Sequence, residues 1–279
     1  MLKKLNFLVH VGFGRTATSF MQENIYPKTP RTTYIGKRKQ GYKNEFFYNV
    51  KFHQCHYKLF GQFPRHKQAV SRNSEQLVSD YAKLVVNEIK SKNLPDNWNL
   101  IISNESIAGY GIYNAELNLF LLKRVFIKIK TKLVKEFDIK FKVLFTFREQ
   151  CAMLQSSYAY GYYNYSSKYK SFDNFIHSGI EKSHEDIFGM LHTHENIELA
   201  NYIFFDDTVL FVPYEILKRD LNEFLNSTIV KLGLVSKNEA QTIFDSIKKN
   251  KRVNLNINVD GTHNLKNFSI IFRFIIGLY

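Results

Sequence analysis

Cysteine is scarce in this chain of 279 residues, with Cys55 and Cys151 the only two. A disulfide framework is thereby excluded, though one bridge is not, and with no export signal the expectation is two reduced thiols in a cytoplasmic protein. Long hydrophobic runs are lacking as well: no apolar stretch reaches the ~20 residues of a membrane-spanning helix. Lys3 and Lys4 give the start the charge of a signal peptide, but the apolar run behind them breaks at His10 and Gly12, with no small-residue cleavage site. Acidic residues are short too, 25 Asp plus Glu against 39 Lys plus Arg, a formal charge of +14. Internal repeats, low-complexity tracts and long linkers are missing, so a single domain over 1–279 is expected.

Aromatic residues are abundant. The hydrophobic share is 44%, with 25 Phe and 17 Tyr, enough for a buried core and enough to exclude disorder as the main state. The charge excess asks for an anionic partner and is local: residues 28–72 hold 11 Lys/Arg against Glu45 alone. The whole stretch 28–74 reads as an irregular basic and aromatic insertion, with a short strand near Thr33–Ile35 and Ser74 as the N-cap of a helix to about Lys92.

Apolar runs at Asn6–Val11, Asn99–Ser103, Phe141–Phe147 and Thr208–Pro213 read as buried strands. Helical patterns follow at Thr16–Asn24, about 114–136, about 150–163, 215–232 and 236–250, with a polar, tyrosine-rich connection before the last strand. Strands alternating with helices, each strand a near-continuous apolar run, predict an α/β fold with a parallel sheet covered on both faces.

Ligands of open parallel sheets bind at the carboxyl ends of the strands. The first such end is Gly12-Phe-Gly-Arg-Thr-Ala-Thr-Ser-Phe-Met-Gln22. A strand, a glycine turn and a hydroxyl-rich helix start make an anion site, in which Thr16, Thr18 and Ser19 add hydrogen bonds and Arg15 adds charge. A Walker A loop is a poor match, because Ala17-Thr18-Ser19 stands where Gly-Lys-Ser/Thr is required. A dinucleotide fingerprint is satisfied by Gly12, Gly14 and Ala17, and with Lys37-Arg38-Lys39 downstream an NADP-dependent oxidoreductase stays open as an alternative.

The same segment resembles the 5′-phosphosulfate-binding loop of sulfotransferases that use 3′-phosphoadenosine 5′-phosphosulfate, Gly-x-x-Lys/Arg-Thr/Ser-Gly-Thr-Thr. Arg15 stands at the basic position, Thr16, Thr18 and Ser19 at the hydroxyl positions, Ala17 in place of the second Gly, and Met21-Gln22 at the helix pair. The family's 3′-phosphate signature, an Arg at a strand end with a Ser eight residues on, is similar to Phe147-Arg148-Glu149-Gln150…Ser156-Ser157-Tyr158, with Gln150 for the usual Pro. Glu105, in Ile101-Ile-Ser-Asn-Glu105, resembles the catalytic base by order and context, and a Glu capping the next element is the competing reading. Leu210-Phe-Val-Pro-Tyr-Glu215 resembles the final core strand with its Tyr/Glu, and Lys251-Arg252 the basic loop over the nucleotide.

The resemblance implies a P-loop-NTPase-like sulfotransferase fold of the bacterial, carbohydrate-sulfating kind. Gly14, Arg15, Thr16, Ala17, Thr18 and Ser19 would hold the donor's 5′ end, and Arg148 and Ser156 its 3′-phosphate. Arg15 and Glu105 would be catalytic. The sulfuryl group would pass to an acceptor hydroxyl, on a glycan for preference, leaving adenosine 3′,5′-bisphosphate and needing no metal.

Other patterns are read more plainly. His53-x-Cys55-His56 with His66, and His192-x-His194, match no standard zinc spacing. The run Tyr158, Tyr160, Tyr162, Tyr163, Tyr165 suits either a stacking face or helix packing. Lys123–Lys142, with eight Lys/Arg against two acids, reads as a solvated face. Phe268–Tyr279 is too short to span a bilayer and would dock on the core or lie at a membrane surface. Nucleic-acid binding by the 28–72 segment ranks third, since no recognised motif accompanies its Lys, Arg, Phe and Tyr.

Overall fold

The computed structural model describes residues 1–12, 16–35, 50–60, 64–104, 107, 112–160, 168–181 and 193–249. The apolar run after Lys4 forms β1 (Lys3–Gly12), buried without interruption from Phe7 onward because strands cover both of its edges and helices both of its faces. With β2 (Thr32–Ile35), β3 (Trp98–Ser103), β4 (Phe137–Phe147) and β5 (Thr208–Pro213) it makes one all-parallel sheet in the order β2-β3-β1-β4-β5. The fold is α/β, as the sequence predicts. No described helix is long and apolar enough to cross a membrane.

Strand order decides where a ligand can sit. From β1 the chain steps outward past the later β3 to β2, whereas β2→β3, β3→β4 and β4→β5 all step the opposite way. Right-handed crossovers therefore put the first connection on one face of the sheet and the next three on the other. The core divides accordingly. Leu5, Phe7, Val9 and Val11 pack with α2 (Val50–Phe60), α3 (Pro64–Ser91), α4 (Ile112–Leu133), α5 (Gln150–Tyr160), α6 (Phe172–Glu181) and α7 (Thr193–Ile203). Leu8, Ile101 and Leu144 face Met21, Ile25 and Tyr26 of the segment after β1, together with α8 (Tyr214–Arg219), α9 (Leu221–Leu225) and α10 (Lys237–Lys249). The reversal at β1 opens the sheet's crevice at the carboxyl ends of β1 and its neighbours.

Several expected boundaries move. The described parts of 28–74 are not irregular: they contain β2, α2 and the first turns of α3, and Ser74 lies inside α3 instead of capping it. Pro64 is the first residue of α3, where its fixed φ and missing N–H fit. Ser74 Oγ instead accepts from Arg124 Nη1 at 3.4 Å. The polar connection before β5 carries α6 and α7, whose apolar residues Phe175, Ala200 and Ile203 seal one core cluster. β4 begins four residues earlier than the apolar run, at Phe137, because Phe137 and Ile139 alternate with exposed Asp138 and Lys140. The helix expected over 215–232 breaks at Asp220 into α8, α9 and a π-helical turn, Asn226–Val230.

The Lys123–Lys142 stretch is solvated at Lys130, Lys132, Lys135 and Lys140, as expected, and ion-paired at its start. Lys123 pairs with Asp206 and Asp207, and Arg124 and Lys128 with Glu75. Lys142 is buried, donates to the Leu232 carbonyl, and is pushed down from 10.5 to about 8 by burial and the nearby Lys140.

Candidate functional site

β1, β3 and β4 end side by side. Gly12 is in register with Thr146, and His10 with Ser103 and Leu144, so His10, Ser103 and Thr146 share the sheet face under the helical segment that begins at Thr18. That segment runs as α1 (Thr18–Phe20), a π-helical turn Met21–Ile25 and a 3-10 turn Tyr26–Lys28. Ala17 enters it in the left-handed region at φ 64°, where the sulfotransferase pattern has Gly, and its carbonyl accepts the first helical bond from Met21 N–H.

Hydroxyls and one imidazole fill the space beneath. Thr16 Oγ1 is 2.9 Å from Thr146 Oγ1, which is 3.0 Å from His10 Nε2, and His10 Nδ1 is 2.9 Å from Ser103 Oγ. Gln22 Nε2 closes the row, donating to Ser103 O at 3.3 Å and Ser103 Oγ at 3.1 Å. All five residues are at most 3% exposed. Burial pushes the His10 imidazole down from 6.5 to about 3, so the ring is neutral.

Gly12 is present because nothing larger fits. A Cβ there would lie 2.3 Å from Thr18 Oγ1, 3.0 Å from Thr146 Oγ1 and 3.2 Å from His10 Nε2. Thr18 is 2% exposed, yet its hydroxyl has no hydrogen-bond partner among the described residues. Buried hydroxyls are normally satisfied, so an orphan at a strand end points to a polar group that binds there.

The neighbouring strand supplies charge. Arg148, two residues beyond the position opposite Gly12, is 8% exposed, and its guanidinium carbon lies 5.1 Å from the Tyr214 ring centroid. Lys218 Nζ approaches the same ring at 5.5 Å. Glu149 accepts from the N–H groups of Cys151 at 2.9 Å and Ala152 at 2.7 Å, capping α5 with Gln150 at its first position. Glu149 N–H in turn donates to Glu215 Oε1 at 3.1 Å, tying the end of β4 to the residues after β5. Ser156 is half-buried on the second turn of α5.

Of the predicted site residues, Thr16, Ala17, Thr18 and Ser19 gather at the end of β1, while Arg148 and Ser156 stand at the end of β4 and on the helix it feeds. Gly14, Arg15 and Glu105 lie outside the described residues, as do Lys251, Arg252 and Phe268–Tyr279. His10, Ser103, Thr146 and Lys218 are the parts that sequence reasoning missed. Along the chain His10 only interrupts an apolar run; register with β3 and β4 supplies its partners.

Of the other candidates, His192, Tyr162, Tyr163 and Tyr165 and the side chains of His53, His66 and Tyr160 lie outside the described residues, and the rest resolve into packing or a surface pair. His56 is a core histidine bonded to Tyr81 Oη at 3.0 Å, and no described cluster could hold a metal ion. His194 pairs with Glu198 at 3.2 Å on an exposed face. Tyr158 packs against Phe172 and Phe175. Cys55 and Cys151 are free thiols, each raised to about 11 chiefly by burial, so neither is a thiolate nucleophile near neutral pH. No protein-family model matches the chain and no curated protein matches it, so what the site does is carried by its own residues and their geometry.

Proposed function

We propose that this chain is a sulfotransferase that moves the sulfuryl group of 3′-phosphoadenosine 5′-phosphosulfate to an acceptor hydroxyl, on a glycan for preference. The observation that carries the reading is the buried Thr18 hydroxyl beside Gly12, without a partner among the described residues, at the carboxyl end of the strand where the sheet reverses. Arg148, held against Tyr214 on the adjacent strand end, adds the second anion-binding group the donor needs.

Sulfuryl transfer, like phosphoryl transfer, is an in-line displacement in which charge develops on the leaving and transferring oxygens, so positioning and electrostatics dominate. Thr16, Thr18 and Ser19 hold the 5′-phosphosulfate through hydroxyl donors. Arg15 neutralises charge on the leaving phosphate by its fork of N–H groups, since a guanidinium keeps its proton. Arg148 and Ser156 fix the 3′-phosphate, and Glu105 takes the proton of the attacking hydroxyl. The basic 28–72 segment, which follows the loop in the chain, attracts an anionic acceptor.

The NADP-dependent alternative fares worse on one specific point. Dinucleotide-binding folds place their strands in the order 3-2-1-4-5. Here β3, not β2, is the neighbour of β1.

Incubation with labelled donor and a panel of hydroxylated acceptors, glycans first, tests the assignment. Transfer is expected with the parent chain and should fall at least about tenfold in Arg15→Ala and in Arg148→Ala, the loss of one charge-assisted contact. Transfer unchanged in both variants would refute the assignment.

A further inference from the structure

Among the described residues eight large apolar side chains are exposed, and five of them lie on α4 or beside it: Phe120, Ile127 and Val134, with Tyr202 and Phe205 at the end of α7. Exposed apolar residues scattered singly need no explanation, whereas a contiguous group marks a surface that something covers. Spacing makes this group contiguous. Phe120 and Ile127 are seven residues apart, two turns and about 10 Å along one side of α4, and Val134 follows at the same interval in the turn that ends the helix. Together they form a crest. Lys123, one turn from Phe120 and one from Ile127, reaches sideways to Asp206 and Asp207, and its Nζ lies 5.7 Å from the Phe205 ring centroid. Phe205 therefore stands beside the crest, with Tyr202 three residues before it.

Polar groups flank the crest in two rows. On one side Lys123 is paired with Asp206 and Asp207, and on the other Arg124 and Lys128 are paired with Glu75 of α3. The acids that border the crest are thus already matched by cations of the protein. Glu136 pairs with Lys90 and Glu198 with His194, and exposed Glu116 stands a turn before Phe120, at the far end of the crest. Lys130, Lys132 and Lys135 are exposed and belong to no ion pair among the described residues. Lys130 is within electrostatic range of Asp206 and Asp207, which Lys123 already holds. An apolar crest therefore ends in surplus positive charge.

We propose that the crest of α4, with Tyr202 and Phe205, is a docking surface for an anionic lipid bilayer, its apolar side chains entering the headgroup and upper acyl region while Lys130, Lys132 and Lys135 meet lipid phosphates. Charge complementarity selects this occupant. Phe120, Ile127 and Val134 gain nothing from a soluble anion, and a second copy laid crest to crest would bring the same surplus cations with no acid to meet them. An anionic bilayer offers both halves, hydrocarbon behind a layer of negative charge. Tyr202 suits the boundary itself, with an apolar ring and a polar tip. The inference stands apart from the nucleotide reading, since none of these residues belongs to the strand ends.

Co-sedimentation with vesicles tests it. The parent chain is expected to bind mixed phosphatidylcholine and phosphatidylglycerol vesicles, to bind phosphatidylcholine vesicles at least about tenfold more weakly, and to be released as salt is raised. Ile127→Ser and Phe205→Ser should each lower partitioning onto the anionic vesicles roughly tenfold or more, the worth of one large apolar side chain. Replacing Lys130, Lys132 and Lys135 together by Gln should lower it roughly ten- to hundredfold. All these side chains are exposed, so the variants are expected to fold as the parent does, which thermal unfolding checks.

Phe205→Trp gives a second readout that keeps an aromatic ring in place. The chain's single tryptophan, Trp98, sits in the sheet with its indole donating to Thr33 Oγ1 at 3.0 Å, so the added emission reports on position 205. That emission is expected to shift to the blue on anionic vesicles and to be quenched by brominated acyl chains. A parent that binds no vesicle, or binds neutral and anionic vesicles equally, would overturn the proposal. Binding undiminished in the crest variants would place the contact elsewhere in the chain and overturn it too. A self-associating parent that Ile127→Ser or Phe205→Ser makes monomeric would give the crest to a second copy, and overturn the assignment to lipid.

Discussion

At the scale of single residues, His10 is the group whose chemistry departs furthest from its ordinary range. Its ring is fully buried and stays neutral to about pH 3, whereas in the unfolded chain it takes up a proton near pH 6.5. The unfolded state therefore binds more protons inside that window. Stability that is complete above 6.5 is lost as the pH falls towards 3, by at most about 1.4 kcal/mol per pH unit. Denaturant unfolding at about pH 7.5 and about pH 5 should show the parent losing roughly 2 kcal/mol more than His10→Gln. Equal losses would place the proton elsewhere.

Gly12 offers the second residue-scale prediction. A Cβ 2.3 Å from Thr18 Oγ1 must displace that hydroxyl, so Gly12→Ala is expected to cost about 1–3 kcal/mol in thermal unfolding and to weaken nucleotide binding as well. Thr16, Thr18 and Ser19 were legible in the sequence because hydroxyls crowd behind a strand and a glycine, a local pattern. His10 was not, because along the chain it only interrupts an apolar run. Its meaning arises from register with Ser103 and Thr146, residues 93 and 136 positions away.

At the scale of elements, the start of α5 shows how a helix begins without a proline at its first turn. The Arg148-Glu149-Gln150 segment lacks the proline that would pre-set the helix, and Glu149 does the work instead by accepting from the N–H groups of Cys151 and Ala152. Glu149→Ala should cost about 1 kcal/mol in denaturant unfolding and raise amide hydrogen exchange in the first turn of α5, while Glu149→Asp loses less. Unchanged exchange in Glu149→Ala would show that the turn is held by other bonds. Four of the five strands were legible as apolar runs and β2 as a short one, since strands buried on both faces need no alternation to be seen. The helices α2, α6 and α7 were not, because each is short and set within a basic or polar, tyrosine-rich stretch that hides its periodicity. The break at Asp220 was equally hidden, as Asp220 Oδ1 accepts from Asn222 and Glu223 N–H to restart the helix as α9 in mid-pattern.

At the scale of the whole molecule, strand order was the part no linear pattern could supply. Parallel strands separated by helices are compatible with many orders, and it is the insertion of β3 between β1 and β2 that sends consecutive connections to opposite faces and opens the crevice at β1. The charge of +14 belongs to this scale too, concentrated in the segment that follows the loop along the chain. The central claim, that the strand ends bind a nucleotide through its phosphate groups, is tested most directly by thermal unfolding with adenosine 3′,5′-bisphosphate and, separately, with NADPH. At a hundredfold excess over its Kd, the bisphosphate should stabilise the chain by about 2.7 kcal/mol, a rise in Tm of roughly 5–11 °C, with no rise for NADPH. A rise with NADPH alone, or with neither, would contradict the account.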